Sequence, residues 1–117
     1  MKEEIYWVAE MAIINRELVD EKLKKIVDHV KTNEAGALVY EYYFSEDEKR
    51  LSIFERYANS DAVLAHIENM QPYFSFFEKG VKVESMIVFG PASREVREFL
   101  SRNGAKFQKP AEGFRRG

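Results

Sequence analysis

The chain has 117 residues, 45% of them hydrophobic and 14% aromatic, which is enough for one hydrophobic core and too few for two ordinary domains. Eighteen Lys and Arg stand against twenty Asp and Glu, a formal charge of −2, so there is no broad positive field to hold a phosphate backbone, and nucleic acid is not an expected partner. The sequence has no Cys and only two widely spaced His, His29 and His66, which leaves neither a disulfide nor a recognisable metal motif.

The first residues, Met1 to Trp7, lack the long apolar run of a secretory signal. No later stretch approaches the roughly 20 apolar residues of a membrane span. The expectation is a cytoplasmic protein of one domain over residues 1–117, with a core over about 5–90 and an extension over about 91–117.

Residues Ile5 to Ile14 are nearly all apolar, Glu10 being the one charge, which reads as a central strand buried on both faces. From Glu17 the apolar residues Leu18, Leu23, Ile26, Val27 and Val30 recur mostly at helical spacing, with Asp20, Glu21, Lys24, Lys25 and Asp28 between them. This predicts a helix to about Thr32. Gly36 is expected to end it in a left-handed conformation. Ala37 to Phe44 and Leu51 to Ala58 are aromatic or alternating and flank a charged turn, Ser45 to Lys49, which reads as a hairpin. Asn59 or Ser60 can cap a second helix, which Pro72 interrupts before an aromatic segment, Tyr73 to Phe77. Val81 to Phe89 makes a fourth strand before Gly90-Pro91, and Ser93 can cap a short helix carrying Val96, Phe99 and Leu100. Ala105 to Lys109 can add an edge strand ahead of the basic tail Phe114 to Gly117.

The order β-α-β-β-α-β is the split arrangement of ferredoxin-like α+β domains, an antiparallel sheet with both helices on one face. Pairing across the charged turn is expected to put Val39, Glu41, Tyr43, Leu51, Ile53, Glu55 and Tyr57 on one face and Leu38, Tyr40, Tyr42, Phe44, Phe54 and Arg56 on the other. Neither set is polar, whereas helices cover only one. The uncovered face exceeds the apolar patch that monomers usually tolerate, so a homodimer meeting sheet to sheet is expected.

The segment Phe54 to His66 carries Glu55, Tyr57, Ala62 and His66. It resembles the antibiotic biosynthesis monooxygenase family, in which the third strand ends in Glu-x-aromatic and the second helix carries Ala-x-x-x-His. That resemblance, over about residues 5–90, implies a dimeric α+β barrel with a cavity between the second helix and the sheet. It also implies a cofactor-independent monooxygenase, with no cofactor and no metal, oxidising a quinol-like or polycyclic aromatic small molecule. Such a substrate supplies its own electrons to oxygen once deprotonated, leaving the protein to hold the ring, take a proton and exclude water. The alternative is a non-catalytic binding or assembly module on the same barrel.

His66 is the candidate general base, because imidazole titrates near neutral pH; the plain alternative is a hydrogen-bonded helix residue. Glu55 is the candidate partner that orients it, or an ordinary strand carboxylate paired with Arg56 or a Lys. Trp7, Tyr40, Tyr57, Tyr73, Phe74 and Phe77 are candidates to line a site for a flat aromatic ligand, or else core and interface residues. Asn15 is a candidate for binding a substrate oxygen, or a helix cap.

Overall fold

The computed structural model describes residues 3–116. Met1, Lys2 and Gly117, the ends of the expected 1–117 unit, lie outside the described residues. The elements are β1 (Ile5–Ile13), α1 (Arg16–Asn33), β2 (Ala37–Phe44), β3 (Arg50–Tyr57), α2 (Ser60–Asn69), a single 3₁₀ turn (Gln71–Tyr73), α3 (Phe74–Lys79), β4 (Val81–Phe89), α4 (Arg94–Ser101) and β5 (Lys106–Gln108).

The strands form one sheet in the order β2-β3-β1-β4-β5. The first four are antiparallel, as the ferredoxin-like reading expects, and β5 lies parallel to β4. The sheet is therefore mixed. The cause is α4, a helical crossover after β4, which brings the chain back in the direction it left.

Local chemistry accounts for most boundaries. The Asn15 side chain accepts from the Leu18 amide at 3.1 Å and starts α1, and Asn59 does the same for α2 from Ala62 at 2.9 Å. Gly36 acts differently from expectation. α1 ends at Glu34 in extended backbone, and Gly36 is needed because a Cβ there would lie 2.6 Å from Ala62 Cβ, where β2 starts against α2. Gly90 does use the glycine-favoured region, at φ 108°, and its backbone passes so close to Glu4 that a Cβ would meet the carbonyl oxygen at 2.3 Å.

The hairpin register corrects the expected faces. Phe44 pairs with Leu51, Tyr42 with Ile53 and Tyr40 with Glu55, and residues directly opposite share a face. Tyr40, Tyr42 and Phe44 thus lie with Leu51, Ile53, Glu55 and Tyr57, while Val39, Glu41 and Tyr43 lie with Phe54 and Arg56. One residue of offset is enough to exchange the faces. Residues 45–50 separate the paired ends, and Glu48 turns through φ 58°.

The core lies on the helix side. Ile5, Trp7, Ala9 and Met11 of β1 bury with Leu51, Ile53 and Tyr57 of β3 beneath Val19, Ile26 and Val30 of α1, Val63 of α2, Phe76 of α3 and Val96 of α4. β1 is central in order, yet its second face is covered only in part. Val8 and Ile87 are 39% and 37% exposed there, with Tyr6, Phe54 and Phe89 half-buried beside them.

In the extension Val96 and Leu100 are buried, and Phe107 packs onto the core with the Arg97 guanidinium 4.3 Å from its ring. Phe114, by contrast, is 81% exposed. The tail is held instead by Arg115, which pairs with Glu4 and stands 4.9 Å from the Tyr6 ring. Among the described residues no helix is long and apolar enough to cross a membrane.

Candidate functional site

Sheet register assembles the site before any helix contributes. Tyr40 of β2 and Trp7 of β1 are the cross-strand neighbours of Glu55 on β3, one on each side. Tyr57 lies two residues along on the same face. The indole Nε1–H of Trp7 donates to Glu55 Oε2 at 2.6 Å, and the Tyr57 hydroxyl donates to Oε1 at 2.5 Å. The Trp7 and Tyr57 rings are stacked 5.0 Å apart, which fixes both donors.

α2 adds His66, three residues after buried Val63 and therefore on the sheet-facing side of the helix. Its Nε2 lies 3.3 Å from Glu55 Oε1. The ring sits 5.1 Å from the Tyr57 ring and 5.5 Å from that of Tyr40. On its other side, Nδ1 meets Glu34 at 2.9 Å and 3.0 Å, and the Asn69 amide donates to Glu34 Oε2 at 2.6 Å. His66 thus stands between two buried carboxylates, one from the sheet and one from the end of α1.

Glu34 was not marked out by the sequence. It follows a helix of charged residues and stands two residues before a glycine, which is the setting of an ordinary solvated helix end. What buries it is the close approach of α2 permitted at Gly36.

Burial pushes the Glu55 carboxyl up from the ordinary range; His66, Tyr57 and Trp7 act the other way and favour its charged form. Burial likewise pushes the Tyr40 and Tyr57 phenols well up, with the nearby Glu55 adding to it. Both phenols therefore remain protonated donors at neutral pH. The Tyr40 hydroxyl is hydrogen-bonded to that of Tyr42 at 2.8 Å.

Glu55, His66, Trp7 and Tyr40 form one wall of a cavity of about 380 Å³. Met11, Met70 and Met86 supply adaptable apolar surface, and Phe77, Phe99 and Leu100 continue it. Exposed Phe74, Glu78, Val83 and Asn103 also line it and mark its mouth. Of the residues singled out from sequence, His66, Glu55, Trp7, Tyr40, Phe74 and Phe77 converge here. Tyr57 is fully buried behind Glu55 as its hydrogen-bond donor. Asn15 is not at the cavity, being occupied as the cap of α1, and the Tyr73 ring packs edge-on to His29 at 5.3 Å. The three methionines, Phe99 and Asn103 carry no motif, and only the fold brings them together. Among the described residues no group of three His, Cys, Asp or Glu converges as a metal site.

No protein-family model and no curated protein matches the sequence. Solved structures do match by shape. MupZ from Pseudomonas fluorescens superposes with a TM-score of 0.82 over 97% of this chain and 95% of that one, at 20% identity. SnoaB from Streptomyces nogalater, described as a cofactor-independent oxygenase, gives 0.65 over 78% and 95%, at 9% identity. A Bacteroides thetaiotaomicron protein provisionally named an antibiotic biosynthesis monooxygenase gives 0.59 over 79% and 90%, at 19% identity. The chain has the antibiotic biosynthesis monooxygenase-like fold. At these identities the likeness is one of fold. The 97% coverage by MupZ takes in most of the extension after β4.

Proposed function

We propose that the protein is a cofactor-independent monooxygenase that binds a flat, mainly apolar molecule of the quinol-like or polycyclic aromatic class in the cavity between α2 and the sheet. The observation that carries this reading is the buried Glu55–His66 pair on the wall of a mainly apolar cavity. The pair takes the acidic proton of the bound substrate, whose electron-rich anion reduces dioxygen. One oxygen atom enters the product and the other leaves as water when the O–O bond breaks, taking one proton back from the pair and the second from the substrate carbon that is oxygenated. Tyr40 and Trp7 provide ring surface for the substrate, and a low-polarity wall strengthens each charge interaction near it. The working unit is a homodimer joined through the open sheet face, where Val8 and Ile87 are exposed beside half-buried Tyr6, Phe54 and Phe89.

The test is oxygen uptake with 1,4-dihydroxynaphthalene, corrected for its spontaneous oxidation. His66→Gln should lower kcat by about 10²–10⁴-fold, the usual weight of a positioned proton transfer, in a protein that still folds. Unchanged uptake in the folded variant removes His66 from the reaction. A second reading rests on the place of Glu55, a buried carboxyl on the cavity wall that burial raises above its ordinary range. In its protonated form it can donate to a substrate oxygen without any oxidation. Product formation without oxygen uptake favours that reading, and tight binding with no turnover favours a binding module.

A further inference from the structure

We propose that Glu34 is a positioning residue that sets the tautomer and ring plane of His66, holding the proton on Nδ1 so that Nε2 is the nitrogen offered to Glu55 and the cavity. This rests on the reading of Glu55 and His66 as the reacting pair. Both carboxylate oxygens of Glu34 lie within 3.0 Å of Nδ1. Two oxygens of an ionised carboxylate at that distance call for a donor on Nδ1, since a nitrogen lone pair would be repelled there. The same carboxylate accepts from Asn69, three residues beyond His66 and on the same side of α2, so one helix face grips it twice. The Glu34 side chain is only 3% exposed, and a carboxylate so deeply buried is tolerated only when its lone pairs are used.

The groups facing the ring are Glu34 from the end of α1, Glu55 and Tyr57 from β3 and Tyr40 from β2. Glu34 approaches from the side away from Glu55 and does not line the cavity. It therefore acts through His66 and not on a substrate. With Nδ1–H committed to Glu34, Nε2 is the ring nitrogen left facing Glu55 Oε1, at 3.3 Å. A carboxylate that holds an imidazole in one tautomer and stabilises its charged form has the same part in hydrolytic triads, where losing it changes rate far more than structure.

The deciding measurement is ¹⁵N NMR of the imidazole nitrogens in the full chain, with His29→Gln used to assign the two histidines. The pH is raised until one nitrogen of His66 is unprotonated. That nitrogen should be Nε2; finding it to be Nδ1 overturns the proposal. In a second arm, Glu34→Gln keeps the volume and removes the charge. With the fold verified by circular dichroism, kcat on 1,4-dihydroxynaphthalene should fall by about 10–100-fold, as for the loss of an orienting partner. KM should change by less than about twofold, because the residue does not touch the substrate. Unchanged kcat in the folded variant overturns the proposal as well. If the unaltered protein consumes no oxygen with the hydroquinone, the monooxygenase reading fails by itself, and the tautomer measurement still decides the role of Glu34.

Discussion

Replacing Trp7 by Phe keeps a ring in the core and removes one hydrogen-bond donor, the indole N–H that meets Glu55 Oε2 at 2.6 Å. Trp7 is 3% exposed and Glu55 5% exposed, so water does not readily replace the lost donor. An orphaned buried acceptor costs about 1–3 kcal/mol, toward the upper end for a charged one. The smaller ring forfeits about another 1 kcal/mol of packing. With unfolding entropy near 2.1 cal/mol/K per residue, 117 residues give roughly 0.25 kcal/mol/K, so a loss of about 3 kcal/mol lowers Tm by roughly 12 °C. The pH dependence has a definite sign. Burial already raises Glu55 above the ordinary 4.5, and the Trp7 bond opposes that rise. Without the bond the carboxyl rises further, and the variant falls further behind the parent as pH climbs from the parent's raised value through the variant's still higher one, because the ionised form is the one that needs the donor. Any limb of the pH–rate profile owed to Glu55 should move to higher pH. Calorimetry from pH 4 to 8 and the rate profile check both effects. A Tm within about 2 °C of the parent at every pH, with an unmoved limb, would refute the role given to this contact.

Ala9→Met places a longer side chain from the floor of the cavity into its empty volume; KM for an accepted substrate should rise at least about tenfold with stability changed by less than about 1.5 kcal/mol, read by kinetics and thermal melting. Val8→Lys sets a charge in the apolar patch of the open sheet face, and light scattering at micromolar concentration should then report a monomer where the parent is a dimer; a parent that is already monomeric rules out the sheet-to-sheet assembly. The Arg56 hydrogen bonds hold the Glu4 carboxyl below its usual range, and Arg115 adds to the effect. Its contribution to stability is therefore complete above pH 4.5 and is lost as pH falls through the lowered value, so Glu4→Gln should flatten the acid side of the stability profile seen by chemical denaturation.

The alternation of apolar residues, the two asparagine caps, the charged turn after Phe44 and the break at Pro72 are local signals, and they made the β-α-β-β-α-β order readable from the chain alone. The same holds for Glu55 and His66 as a pair worth attention, since both sit at defined points of a strand and a helix. Register was not readable. Whether Tyr40 or Glu41 shares a face with Glu55 depends on how the backbone turns through residues 45–50, and one residue of slip reverses every side chain on the strand. The direction of β5 followed from the path of α4, and the anchoring of the tail by Arg115 and not by Phe114 followed from where Glu4 lies. Glu34 is the clearest case. In sequence it is one more charge at a helix end, and it becomes a buried partner of His66 only because α2 packs closely against the chain at Gly36, between α1 and β2. Local propensity reaches a few residues along the chain, whereas His66 meets a carboxylate 32 residues away, a contact that exists only once both helices have packed on the same face of the sheet.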